Sequence, residues 1–246
     1  MRALTFKLSG KTAFFKKPDV NSFAYFTYGH IHRVALLGLL GAIVGLGGNI
    51  QQKDKQYPEY YERLKELKLS VVPLPIDKKG YFSKKLQVYN NSVGYASKEE
   101  GGNLIVREQW LEEPKWQIFI LDDDSIERSL FEKLCDYIIS SKCVYVPYLG
   151  KNDHPATITN VSLVELSEIK QQNHIDSLFV MKSYNIRKYS WNDSPEYMYR
   201  EVVPIALNKD YNFYEYDEIC FTNIEVENLD KAKDTYCYED LVLAFH

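Results

Sequence analysis

Residues Ile31–Gly48 read IHRVALLGLLGAIVGLGG and follow Thr27-Tyr28-Gly29-His30. No other stretch of the chain is as apolar or as rich in glycine. Apolar residues fill every side of a helical projection, so a helix here must be buried all round. Gly38, Gly41 and Gly45 each cost roughly 1 kcal/mol relative to alanine in a helix interior. They are tolerated where another backbone packs closely against them. The expectation is a core helix pressed against a sheet, with a polar leading end (His30, His32, Arg33) held out near a ligand. The uncharged run from Val34 to Gly48 is 15 residues long, short of the roughly 20 that cross a bilayer. Its terminal glycines end a helix and do not join a strand to one, which excludes phosphate-loop and dinucleotide readings.

The whole chain has 246 residues, 45% hydrophobic and 26% charged, the composition of an ordinary globular protein. The net charge of −4 is unevenly spread: residues 1–120 carry +7 and the remainder −11. Such asymmetry suggests a polyanionic partner for the first half only. The four cysteines form no C-x-x-C pair, and no nearby histidines supply zinc-ligand spacing. No signal peptide is read, so a cytoplasmic protein with reduced thiols is expected, with no metal, no cofactor and no membrane partner.

Arg2–Leu8 alternates as a half-buried strand. From Lys11 to Tyr28 there is no clean period. Lys11, Lys16 and Lys17 are interleaved with Phe14, Phe15, Phe23, Tyr25, Phe26 and Tyr28. That pattern either grips a single strand by phosphate pairing and base stacking or lays its aromatics on a core. Residues 58–68 suggest a short helix with proline in its first turn. Residues 69–76 suggest a strand that Pro73 and Pro75 push to a sheet edge. Lys84–Gln117 reads as a long polar hairpin with its tip at 97–103 and cations at its base, an arm that reaches a partner. Residues 117–121 form a buried strand. Asp122–Ser125 then supply capping oxygens to a helix over 126–140 with one apolar face. His154 is read as a turn residue. From Thr157 onward strand-forming residues dominate, which suggests a mainly β region.

No phosphate-loop, zincin, nucleophile-elbow or kinase motif occurs. His30 and His32 are two residues apart and of a type that titrates near neutrality, which would allow acid–base work on RNA. Phosphate contact is the simpler use for them beside a basic loop.

Several of these residues carry a family resemblance. Phe6-Lys7-Leu8-Ser9-Gly10 with AFFKKP, then HRVALLGLLGAIVGLGG, Tyr89-Asn90-Asn91-Ser92 in the arm and the turn Pro147-Tyr148-Leu149-Gly150 resemble the Cas-five family of CRISPR-associated proteins. The type I-B branch is the most similar. The resemblance covers residues 1–156. It implies an α+β protein: a ferredoxin-like (RRM-type) domain over 1–156 with a thumb hairpin at about 84–117, then a smaller mainly β domain over 157–246. It also implies a non-catalytic subunit of an antiviral interference (Cascade) complex that caps the five-prime handle of the guide crRNA. The implied partners are crRNA, the backbone (Cas-seven) and large (Cas-eight) subunits, and target DNA indirectly. Carried over by position, the RNA-facing residues would be Lys11, Lys16, Lys17, Tyr28, His30, His32, Arg33, Lys84, Lys85, Tyr89, Asn91, Ser92 and Arg107. The type I-C relatives cut precursor RNA with tyrosine, lysine and histidine. The arm here has no Lys-His pair, so metal-independent cleavage is the alternative and not the first expectation.

Overall fold

The computed structural model describes residues 1–19, 23–75, 77, 79–169, 172–187, 196–229 and 232–246. Its first unit is a four-stranded antiparallel sheet. The strands are β1 (Arg2–Ser9), β3 (Leu69–Pro73), β6 (Lys115–Asp122) and β7 (Thr157–Glu165), in the order β3-β6-β1-β7. Helices α1 (Arg33–Val44) and α3 (Arg128–Ile139) make the crossovers, and the short helix α2 (Glu59–Leu64) precedes β3. This is the ferredoxin-like βαββαβ arrangement, two split βαβ units interleaved in one sheet. β3 lies at an edge, as its prolines require; Ile76, expected as its last residue, lies outside the described residues. β7 completes this sheet by pairing along β1, so the first unit runs to Glu165 and not to residue 156.

Alternation along β1 assigns its two faces. Leu4, Phe6 and Leu8 join Trp116, Ile118 and Ile120 of β6 in the core that holds α1 and α3. Ala3 faces the other way with Phe119, Leu121 and Leu166. That side is covered by Leu243 and Phe245, carried by and just beyond the hairpin of β13 (Thr235–Tyr238) and β14 (Leu241–Ala244). The sheet is thus buried on both faces at this end.

Between β7 and β13 the chain forms β8 (Phe179–Val180), β9 (Asn185–Ile186), β10 (Met198–Leu207), β11 (Tyr214–Thr222) and β12 (Val226–Glu227). The β10–β11 hairpin lies over α1. Tyr199, Val203, Leu207, Ile219 and Phe221 belong to the same continuous core as β1 and α1. Only a smaller cluster, including Phe179, Cys220, Val226 and Val242, is private to the C-terminal part.

Helix α1 is buried nearly all round, as its composition demands. The glycines are spent differently from one another. A Cβ on Gly41 would sit 2.5 Å from Cβ of Tyr60, so this glycine admits α2 and not the sheet. Gly45 ends the helix in the left-handed region at φ 82°. A Cβ on Gly38 would meet only Tyr60, at an ordinary 3.7 Å. Gly41→Ala is therefore expected to lower stability by roughly 1–3 kcal/mol through overpacking. Gly38→Ala should raise it by up to about 1 kcal/mol through helix propensity. Paired urea titrations check both signs.

The aspartate turn does not cap α3. The N-cap is Glu127, whose carboxylate accepts from the Ser129 hydroxyl and makes no capping bond to a helix N–H. Asp122 instead pairs with Arg2 and Arg128, and Asp123 with Lys68, because consecutive positions at the end of β6 point to different neighbours. All four cysteines are free. Among the described residues no helix is long and apolar enough to cross a membrane. No group of three or more His, Cys, Asp or Glu there could hold a metal ion.

Candidate nucleic-acid interface

The expected arm is present between β3 and β6. It is β4 (Lys84–Asn90) paired with β5 (Ile105–Glu112), in register from Lys84↔Leu111 to Asn90↔Ile105. It is shorter than the sequence suggests. Glu113 adopts φ 45° beside Pro114 and breaks the strand, so Lys115, Trp116 and Gln117 belong to β6. At its base, β2 (Thr12–Ala13) pairs with Leu111 and Glu112. Tyr25 adds a further rung, its N–H donating to Arg107 O and its carbonyl accepting from Gln109 N, both at 2.9 Å.

Residues paired across two strands project to the same face. Lys84, Leu86, Val88 and Asn90 therefore share one face with Ile105, Arg107 and Gln109, while Lys85, Gln87 and Tyr89 share the other with Val106, Glu108 and Trp110. The register thus splits the expected cation cluster in two. On the first face Lys84 is exposed, Arg107 lies 5.6 Å over the Phe23 ring, and Leu86, Val88 and Ile105 are about half exposed. On the second face Tyr89 is tied into a buried network. Glu108 accepts from Tyr89 Oη (3.0 Å), Trp110 Nε1 (2.8 Å) and Lys151 Nζ (3.3 Å). Burial pulls the Lys151 ammonium down. The bonds to Tyr89, Glu108 and Asp153 outweigh it and hold the pKa above its usual value. Lys85 lies 3.7 Å from Glu112 and over Trp110. Near the tip, the Asn91 amide donates to Leu104 O, and Ser92 Oγ accepts from Leu104 N. Those two positions hold the turn closed.

The basic loop folds on itself, with Lys17 N donating to Phe26 O and Tyr28 N to Phe15 O. Lys11 and Lys16 are exposed, and Lys16 Nζ sits 3.8 Å over the Tyr25 ring. Lys17 is committed to Glu201 of β10 at 2.7 Å. Glu201 also accepts from Gly29 N (2.8 Å) and Tyr199 Oη (2.6 Å). Burial pulls this carboxyl up, but those three donors outweigh it and leave its pKa below the usual range.

The leading end of α1 corrects the expectation most sharply. Tyr28 and His32 are buried and His30 is fully so, with no surface left for RNA at His30. His30 Nδ1 accepts from Trp116 Nε1 at 3.1 Å, and its ring packs edge-on against Tyr199 and Phe82. His32 caps α1, its Nδ1 accepting from Ala35 N at 3.3 Å. Arg33 turns inward and donates to the carbonyls of Lys65, Leu67 and His246. The cause is the β10–β11 hairpin. A helix that is apolar on every side needs a cover at its start as well, and these strands supply it over residues the sequence reading left in solvent.

Local pattern missed Lys151, Glu108, Trp110 and Glu201. Lys151 follows the PYLG turn and could have been counted as a cation at the arm; the others acquire their place from partners far along the chain. His154 does close a turn, its N–H donating to Lys151 O at 3.0 Å, but it faces inward. It is buried, with Nδ1 2.6 Å from Thr12 Oγ1 and its ring 4.6 Å from that of Trp110.

No family model and no curated protein sequence matches this chain. Among solved structures, it is similar to a chain of a CRISPR RNA-guided surveillance complex, with a TM-score of 0.52, 12% identity and 92% of each chain covered. It is also similar to a chain of the type III-B Cmr-beta complex bound to cognate target RNA and AMPPnP. There the TM-score is 0.50 and the identity 9%, covering 92% of this chain and 86% of that one. A CRISPR protein from Archaeoglobus fulgidus aligns over 99% of this chain and 98% of its own, at 14% identity and a TM-score of 0.45. At such identities the likeness is one of fold: the chain has an α+β fold shared with chains of CRISPR-associated complexes.

Proposed function

We propose that this chain is a non-catalytic subunit of a type I CRISPR interference complex. It binds and caps the five-prime handle of the guide RNA and contacts the backbone and large subunits. The observation that carries the reading is the arm. It stands out from a ferredoxin-like core, exposes Leu86, Val88 and Ile105 on one face and carries Lys84 and Arg107 on that same face, while Tyr25, under the Lys16 ammonium, is bonded to β5 at Arg107 and Gln109. Exposed apolar side chains beside cations suit a surface covered by a second macromolecule with phosphates at its edge. The fold shared with chains of RNA-guided complexes agrees with this, and so does the basic first half.

The non-catalytic part rests on chemistry. Burial holds His30 near a pKa of about 4 and His32 near about 3. A general acid–base must reach the reacting ribose and titrate near the working pH, and neither imidazole does.

Lys16→Ala, Lys84→Ala and Arg107→Ala are each expected to weaken RNA binding without loss of fold. Each phosphate contact removed should flatten the dependence of log affinity on log salt by about 0.7. Affinity measured between 50 and 300 mM salt (roughly the range where such slopes are linear) reads this directly. Complexes that purify without RNA would overturn the RNA role. Clean cutting of repeat RNA by the purified chain in EDTA would overturn the non-catalytic one.

A further inference from the structure

A cleft of about 640 Å³ runs along the one side of α1 that the sheet, α2 and β10 leave uncovered. Its size lies in the range of small-molecule sites. Tyr60, Tyr145, Tyr148 and Tyr214 wall it, and Gly38 leaves a gap in its floor where any side chain would stand. Tyr145 and Tyr148 are about half exposed, a large aromatic surface on a cleft that no described residue fills.

Two features give the cleft a polarity. In a chain of net charge −4, its lining among the described residues holds one lysine, Lys16, and no aspartate or glutamate. Lys16 stands where the lining meets the basic loop and the Tyr25 rung at the arm's base. The second feature is His32, 94% buried and part of the lining. Its Nδ1 is used as acceptor by Ala35 N, which places the proton of the neutral ring on Nε2. Nε2 has no partner among the described residues. The atom is not among those both buried and unpartnered, so this N–H is a donor open at the cleft wall, free to meet a ligand atom that accepts.

We infer that this cleft receives one flipped-out base of the bound RNA: the tyrosines stack its faces, His32 Nε2–H donates to a ring nitrogen or carbonyl, and Lys16 holds the adjoining phosphate. The inference rests on the RNA-binding reading above. A planar ring with acceptor atoms and a flanking anion matches a cleft of aromatic walls, one donor and one cation. The side chain of a partner protein would use the walls but not the donor and lysine together.

Gly38→Leu tests this, because a Cβ at that position meets only Tyr60, at ordinary contact, and Gly38 lines the cleft. The probe is a single-stranded oligouridine in which every base is 4-thiouridine, used for affinity and for zero-length photocrosslinking with peptide mapping. With the wild-type chain, crosslinks are expected on the cleft tyrosines and on the arm. Gly38→Leu should abolish the cleft crosslinks, keep those on the arm, and weaken affinity roughly tenfold, the scale of one lost base–aromatic stack. A thermal melt equal to or above that of wild type shows the variant folded; should it melt lower, Tyr148→Leu on the cleft wall takes its place with the same expected outcome. Unchanged affinity with cleft crosslinks retained would overturn the base site while leaving RNA binding intact. So would unchanged RNA affinity with impaired assembly of the complex, which would assign the cleft to a protein. Absence of RNA binding by wild type would overturn the RNA reading itself.

Discussion

Arg33→Ala is expected to lower the unfolding free energy by roughly 3–5 kcal/mol, because it strips a charged donor from three carbonyls at once. For a chain of this length that is a fall in melting temperature of about 10 °C. The guanidinium bonds the carbonyls of Lys65 and Leu67, at the approach to β3, and of His246, which pairs with Leu69 alongside β3. It therefore joins the start of α1, the edge of the sheet and residue 246 in one knot. Burial pushes its pKa down, yet a guanidinium stays charged throughout the working range. Arg33→Lys keeps the charge but not the planar fork, so it should recover only part of the loss. Thermal and urea unfolding measure the effect. RNA affinity per folded molecule should stay the same, which separates this inward role from a phosphate contact. A variant that melts like wild type but no longer holds RNA would restore Arg33 to the surface.

The second large effect is with pH. His30 and His32 are ordinary imidazoles in the unfolded chain, with pKa values of about 6.5. In the fold burial lowers them, to about 4 and about 3. A folded pKa below the unfolded one means that the unfolded chain binds the extra proton. Stability is then complete above about pH 6.5 and is lost as pH falls toward the folded values. At pH 5 each histidine accounts for about 2 kcal/mol of loss, and the slope of unfolding free energy approaches about 2.7 kcal/mol per pH unit for the pair. Glu201, whose negative charge faces both rings and opposes their shift, has a depressed pKa of its own. Its contribution is present above the ordinary carboxylate range and fades only at lower pH. Urea midpoints at pH 7, 6 and 5 test the slope. A flat profile over that range would mean that the fold holds neither ring neutral. His246 is lowered to about 4 by burial as well, so His30→Gln should remove about a third of the slope, whatever it does to stability at pH 7.

The arm shows how far local pattern reaches. Alternation in 84–90 and 105–112, with glycines between them, was enough to place a hairpin, and its polarity was enough to say that it stands away from the core. Pattern could not set the register, and the register decides that Lys84 and Arg107 share a face that Lys85 and Tyr89 do not. Nor could it show Glu108 collecting Tyr89, Trp110 and Lys151, since Lys151 arrives from beyond α3. Thr157–Glu165 alternates like the strands that follow it, and only its pairing with β1 assigns it to the first sheet.

The sequence by itself determined that Ile31–Gly48 is a buried helix, that it crosses no bilayer and cradles no phosphate, and that a polar arm leaves the fold after an edge strand. These follow from composition and period, which are properties of neighbours along the chain. Only the tertiary structure decided which way the polar start of that helix turns. Burial of His30, His32 and Arg33 depends on the β10–β11 hairpin and on residue 246, more than 160 residues away in sequence. No local signal carries that information. The same cover that hides those three residues leaves one side of the helix bare, and that bare side, with Gly38 in its floor and His32 at its edge, is the cleft.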